Sequence, residues 1–101
     1  MIIYNVTTQL EPSIVTQWLA WMKTVHAPKM LATGCFTSYT ICELLNLDAV
    51  QSPTYTCQYK AASISNYNNY MQQYNYIMVQ ETIATWGELA LSFCTVMQVV
   101  N

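Results

Sequence analysis

The stretch Trp18-Leu-Ala-Trp-Met-Lys-Thr-Val-His26-Ala-Pro28-Lys-Met-Leu-Ala-Thr-Gly34-Cys-Phe36 decides how this chain is read. Val15, Trp18, Leu19, Met22 and Val25 recur at helical spacing, and Gln17, Lys23 and Thr24 fall off that stripe, so an amphipathic helix enters it. Ile14 and Trp21 make the stripe wider than one sheet face needs, which points to a second packing partner. Pro28 disfavours a helical Ala27, so the helix is expected to end or kink near His26, with Lys29 to Thr33 adding one turn before Gly34. Upstream, Glu11-Pro12-Ser13 supplies the start, because proline is tolerated in the first turn and Glu11 or Ser13 can satisfy free amides.

On either side the period changes from helical to two. Ile2, Tyr4, Val6 and Leu10 alternate with Ile3, Asn5, Thr7 and Gln9, a strand with one apolar and one mostly polar face. Phe36 to Leu47 reads as a second strand, Asp48 to Pro53 as a loop, and Thr54 to Ala61 as a third strand, the two forming a hairpin. In that third strand Tyr55, Cys57 and Tyr59 oppose Thr54, Thr56, Gln58 and Lys60. Ser63 or Ser65 can cap a second helix with apolar positions Ile64, Tyr67, Met71, Tyr74 and Met78, broken around Asn75, where asparagines weaken helix propensity. Gly87 closes it as a left-handed residue would. Glu88 to Val100 is the last strand, with Leu89, Leu91, Phe93, Met97 and Val99 on one face and Ser92, Cys94 and Gln98 on the other.

The order β-α-β-β-α-β predicts an α+β, ferredoxin-like domain over residues 1–101, a four-stranded antiparallel sheet with two helices on one face. The other face is left bare. It is expected to carry Asn5, Thr7, Gln9, Thr54, Thr56, Gln58, Ser92 and Cys94 beside aromatic and aliphatic groups, and a homodimer that covers this face is the simplest outcome.

Composition narrows the function classes. A chain of 101 residues holds one core, and 53% hydrophobic with 8% charged leaves Ser, Thr, Asn, Gln and aromatic rings to make the surface. Three lysines, no arginine and a net charge of -2 give no footprint for a phosphate backbone, so no nucleic acid partner is expected. No apolar run is long enough to span a bilayer and no export signal opens the chain, which reads as cytoplasmic. Cys35, Cys42, Cys57 and Cys94 form no Cys-x-x-Cys pair, and His26 stands alone. Four reduced, mostly buried thiols are therefore expected, with no metal site and no cofactor. With only Gly34 and Gly87 and a single histidine, hydrolase, kinase and metalloenzyme readings lack their residues.

Met1-Ile-Ile-Tyr-Asn-Val-Thr7, Trp18-Leu-x-Trp-Met-Lys23, His26-x-Pro-x-Met-Leu-Ala-Thr-Gly34, Thr54-Tyr-x-x-Gln-Tyr59 and Gly87-x-x-x-x-x-Phe93 together resemble a small bacterial family of unknown function in the dimeric α/β-barrel superfamily. The chain departs from that family by its scarcity of charge through the second strand and second helix. The resemblance implies two ferredoxin-like protomers pairing as a dimeric α/β barrel, and it carries no reaction. The wider superfamily holds cofactor-free monooxygenases, haem-degrading enzymes, isomerases and proteins without known catalysis, among which fold does not choose.

Each candidate residue has a functional and a structural reading. His26 is an acid or base near neutrality, or else an imidazole capping a helix C-terminus, its charged form favoured by the dipole. Asn5, Thr7 and Gln58 orient a ligand in a barrel cleft, or hydrogen-bond across a dimer seam. Glu43, in Thr40-Ile-Cys-Glu-Leu-Leu45, would have a raised pKa if buried, or is a strand-edge carboxylate in water. Three function classes follow. The first is a homodimeric small-molecule-binding barrel, of monooxygenase or isomerase type, using Asn5, His26, Glu43 and Gln58. The second is a non-catalytic binding or regulatory dimer. The third, an RNA-binding module with Tyr4 and Tyr59 on its strands, lacks the basic residues such modules use.

Overall fold

The computed structural model describes residues 1–45 and 52–101. Four strands, β1 (Ile2–Leu10), β2 (Ser38–Glu43), β3 (Thr54–Ala61) and β4 (Ala90–Gln98), form one antiparallel sheet in the order β2-β3-β1-β4. β1 lies in the middle because Ile2, Tyr4 and Leu10 must be buried and its backbone groups can pair on both sides. The second strand is shorter than its sequence suggests. The far end of that reading, Asn46 and Leu47, and the loop positions 48–51 lie outside the described residues. On either side of them Leu44 N donates to the Thr54 carbonyl at 2.9 Å, as a hairpin requires.

The first helical run, α1 (Val15–Trp21), does not end at His26. Residues Met22–His26 widen into a π turn, and α2 (Ala27–Ala32) continues in helical dihedrals. Pro28 has no N–H to give the preceding turn, and the π turn absorbs that defect by bonding Ala27 N to the Met22 carbonyl, five residues back. The extra residue rotates everything downstream. Ile14, Trp18 and Met22 are buried, but Val25 is turned out to solvent, and Ala27 and Met30 point inward instead. His26 is carried inward with them, so it sits within a helix and caps none. Gly34 ends the run at φ 78, its N–H reaching the Leu31 carbonyl at 3.0 Å.

Ser63 caps α3 (Ile64–Gln73), its hydroxyl accepting from Asn66 N at 3.2 Å. Tyr74, at φ -123 and ψ -29, breaks the helix, and α4 (Asn75–Trp86) resumes at Asn75. The buried stripe here is Tyr70 and Met78, with Tyr67 and Tyr74 packed against the core. Ile64, expected inside, is 52% exposed, and Met71 is also outside. These tyrosines close over β1, where the Tyr4 ring lies 6.0 Å from Phe36, 5.6 Å from Tyr67 and 5.6 Å from Tyr70 between centroids. The core is an aromatic cluster between one sheet face and the helices.

β4 faces the opposite way from its hydrophobic alternation. Pairing with β1 sets Val6 against Cys94, Thr8 against Ser92 and Leu10 against Ala90, so Ser92 and Cys94 lie on the helix side. The bare face instead receives Leu91, Phe93 and Met97 beside Ile3, Asn5, Thr7, Gln9, Thr54, Thr56 and Gln58. Leu91 is 58% and Phe93 60% exposed there, an apolar pair along the β4 edge of a mostly polar face, with Thr95 between Phe93 and Met97.

Gly87 follows α4 at φ 55 and ψ -132, a region that essentially only glycine occupies. A methyl group there would meet nothing within 4 Å. Gly87→Ala is therefore expected to destabilise by backbone strain alone, about 1–3 kcal/mol, read as a drop in Tm of several degrees.

Candidate functional site

A cleft of about 290 Å³ lies between α4 and the β1–β4 half of the sheet. Tyr4 and Val6 from β1 and Ala90, Ser92 and Cys94 from β4 line it, and Met78, Val79, Thr82 and Ile83 of α4 face them. Met30 and His26 line it too. The cleft exists because α4 begins after the break at Tyr74 and stands over β1, while of the β4 residues only Ala90 is buried.

Its polar groups converge from separate segments. The Tyr4 hydroxyl donates to Asn75 Oδ1 at 3.3 Å and lies 3.2 Å from Cys94 Sγ. Burial first, then the bond to Cys94, holds the Tyr4 phenol far above the usual tyrosine range, so it stays a neutral donor. Burial does the same to Tyr70. Ser92 shares a hydrogen bond with Thr8 at 2.8 Å, and the Thr82 hydroxyl donates to the Met78 carbonyl at 3.0 Å. Among the described residues no Lys, Asp or Glu lines the cleft.

His26 is the unusual member. Its ring stacks on Trp21 with centroids 4.7 Å apart and planes at 22°, and Trp86 meets Trp21 edge-on at 5.8 Å. Its Nδ1 is sealed from solvent without a hydrogen-bond partner, as is Trp86 Nε1. Burial lowers its pKa to about 4; Glu81 opposes this and Lys29 adds to it. These two pair with each other on the surface, Nζ to Oε2 at 3.3 Å. The ring is therefore neutral at pH 7, where a helix-capping imidazolium was expected.

The candidates read from sequence fall in three places. His26 reaches the cleft. Glu43 is on β2, the far edge of the sheet, where it is exposed and accepts from the Tyr55 hydroxyl at 2.8 Å, a bond that raises the Tyr55 pKa. Glu43 is thus the strand-edge carboxylate in water, not a buried one. Asn5, Thr7 and Gln58 lie together on the bare face: Asn5 is paired with Gln58, and its Nδ2 donates to Thr7 Oγ1 at 3.2 Å. Asn5 Oδ1 is buried with no partner. Asn75 and Cys94 carried no functional signal in the sequence, and Tyr4 figured only in the RNA-binding reading. Tyr4 reads as core, Asn75 as a helix break, and Cys94 as the polar side of a strand.

Cys35 and Cys57 are buried, but Cys42 and Cys94 are exposed, so the thiols divide evenly rather than lying mostly inside. Burial pushes the Cys57 thiol up to about 11. All four are free. Samples with and without reductant are expected to melt at the same temperature; a fall of several degrees on reduction would reveal a pairing. Among the described residues no three His, Cys, Asp or Glu side chains gather as metal ligands, and no helix is long and apolar enough to cross a membrane.

Among solved structures, the chain is similar to an ethyl tert-butyl ether d (ethd) family protein from Bacillus halodurans. The TM-score is 0.72 at 10% identity, over 99% of this chain and 100% of that one. It is similar also to a dimeric ferredoxin-like protein from an uncultured marine organism, with a TM-score of 0.59 at 13% identity, over 99% and 95%. At these identities the likeness shows the fold alone, which is ferredoxin-like. No curated protein matches the chain. Residues 1–100 match the family described as a domain of unknown function (DUF4286), and the chain is a member of that family.

Proposed function

We propose that the protein is a homodimeric small-molecule-binding barrel, with the ligand held in the cleft between α4 and β1–β4 of each protomer. The observation that carries this is the cleft itself. A space of about 290 Å³, walled by Met, Ile, Val and Tyr side chains and touched by a few converging polar groups, has the make-up of a ligand site. The whole chain, residues 1–101, acts as one unit in this reading. His26 is its one titratable imidazole and contributes in the neutral form. Glu43, on the far edge, plays no part.

The pairing of protomers rests on the bare face. Leu91, Phe93 and Met97 are together too apolar to stay in water, and Lys60 is the one charged side chain of β1, β3 or β4 on that face, so two copies can meet without opposing charges. Asn5, Thr7 and Gln58 form the polar part of this seam. The free thiols suit the cytoplasm, and the want of cationic side chains argues against nucleic acid as the ligand.

Light scattering is expected to give twice the 11.6 kDa protomer mass, and native mass spectrometry of the purified protein a small neutral molecule bound per protomer. A monomer at micromolar concentration removes the dimer. A protein that copurifies with nothing, and whose melting shifts with no member of a library of small apolar compounds, removes the ligand site.

A further inference from the structure

The cleft holds a nucleophile that binding alone leaves unused. Of the four thiols, Cys35 and Cys57 are buried, Cys42 is exposed on β2 and paired with Thr56 on the bare face, and Cys94 is exposed and lines the cleft. Cys94 has chemistry around it there. Its Sγ lies 3.2 Å from the Tyr4 hydroxyl, which is also 3.3 Å from Asn75 Oδ1. One hydroxyl hydrogen is thus placed between an amide oxygen and a sulfur, and it can turn to the sulfur when the thiol gives up its proton. Tyr70 is an independent sign that the cleft takes a ligand. It is 1% exposed and lines the same space, and its hydroxyl makes no hydrogen bond among the described residues. Burial first, and then the charge that Cys94 would carry as a thiolate, hold the Tyr70 phenol far above the usual tyrosine range, so it stays protonated and within electrostatic reach of the sulfur.

We infer that Cys94 is a covalent modification site for an uncharged conjugated carbonyl compound, an enal or enone whose apolar body enters the cleft. This rests on the ligand site proposed above and adds a reaction to it. The sulfur attacks the β-carbon, a C–S bond forms as the carbon–carbon π bond breaks, and its electron pair moves through the α-carbon to the carbonyl oxygen as an enolate. The proton that the thiol gave up returns to the α-carbon, so Cys94–SH adds across the double bond with no oxidant, reductant or leaving group. The Tyr4 hydroxyl holds the thiolate beforehand, and Tyr70 has a free hydroxyl hydrogen for the charge that develops. Walls of Met, Val and Ile suit the apolar body. A charged electrophile such as oxidised glutathione would lose its hydration without a counter-charge, since no Lys, Asp or Glu lines the cleft among the described residues. Cys42 has the exposure without the cleft.

The test follows the two exposed thiols of the wild-type protein by peptide mass mapping during limited reaction with 2-cyclohexenone, which is apolar and uncharged, and with iodoacetate, which is small and anionic. The ratio of Cys94 to Cys42 labelling is expected to be about tenfold higher with the enone, the gain from holding it beside the sulfur. Cyclohexanone, which has no double bond to attack, should slow the enone at Cys94 and not at Cys42. Tyr4→Phe, which keeps the ring and removes the hydroxyl, should slow Cys94 roughly fivefold and leave Cys42 unchanged. An unchanged Cys94 rate in that variant overturns the part given to Tyr4. An equal ratio with both reagents would make Cys94 merely exposed and overturn the inference, as would a failure of cyclohexanone to protect it. If cyclohexanone still raises the melting temperature in that case, the ligand site stands without the reaction. If it raises nothing, the result counts against the site as well.

Discussion

Phe93→Asp is expected to convert the proposed dimer to a monomer. The side chain lies on the bare face beside Thr7, between Leu91 and Met97 along β4, and is 60% exposed in the protomer. In a two-fold interface the change occurs twice, and each copy loses a central aromatic anchor and buries a carboxylate with no cation opposite. The combined penalty is on the order of 4 kcal/mol, about a thousandfold in dimer Kd. Because the ring is mostly exposed before pairing, the protomer should keep its fold, so circular dichroism should be unchanged while sedimentation equilibrium reports the protomer mass. Ile64→Asp, at an equally exposed apolar position at the start of α3 on the other side of the sheet, should leave the dimer intact. A Phe93→Asp protein that stays dimeric would place the contact elsewhere.

The second large effect is a dependence of stability on pH carried by His26. In the unfolded chain its pKa is near 6.5, whereas burial lowers it to about 4 in the folded protein. As pH falls below 6.5 the unfolded chain takes up a proton that the folded chain refuses, so stability decreases through that interval and stops responding to this group below about 4. The loss is on the order of 3 kcal/mol, and it is absent above the unfolded pKa. In urea titrations from pH 7 to 4, His26→Gln should lose less stability than wild type by that margin. At pH 7 the two should differ by about 1 kcal/mol or less, since Nδ1 has no hydrogen bond to lose and the stack on Trp21 is only partly replaced. Parallel curves would mean that His26 is protonated as readily inside the fold as outside it.

That expectation has the opposite sign from the one local sequence suggests. Pro28 announces a disturbed helix, and a histidine two residues earlier looks like a cap whose charged form is favoured. Whether a helix answers a proline by stopping or by widening depends on what its next turn can bury. Here Ala27 and Met30 have a core to enter, so the chain accepts a π turn, keeps the helix and carries His26 inward, where desolvation outweighs any dipole.

The fold was legible in the sequence wherever periodicity and local chemistry agree. β1 and β3 have one face plainly apolar, Ser63 is followed by a helical pattern, and asparagines mark the break near Asn75. Glycines 34 and 87 stand where the backbone turns to positive φ. Each of these is a short-range constraint, so the β-α-β-β-α-β order and the ferredoxin-like sheet could be read from residues close together in the chain. The orientation of β4 could not. Its stronger stripe, Leu91, Phe93 and Met97, points away from the helices because the register with the central strand is set by burying Leu10 and Ala90 together, and an edge strand follows its neighbour. The cleft was equally hidden, since Tyr4, His26, Asn75 and Cys94 become neighbours only when the helices dock on the sheet. Local sequence determined which elements form. Tertiary packing decided which faces are buried, because burial is a property of the whole assembly of elements and strand pairing couples each face to residues far away in the chain.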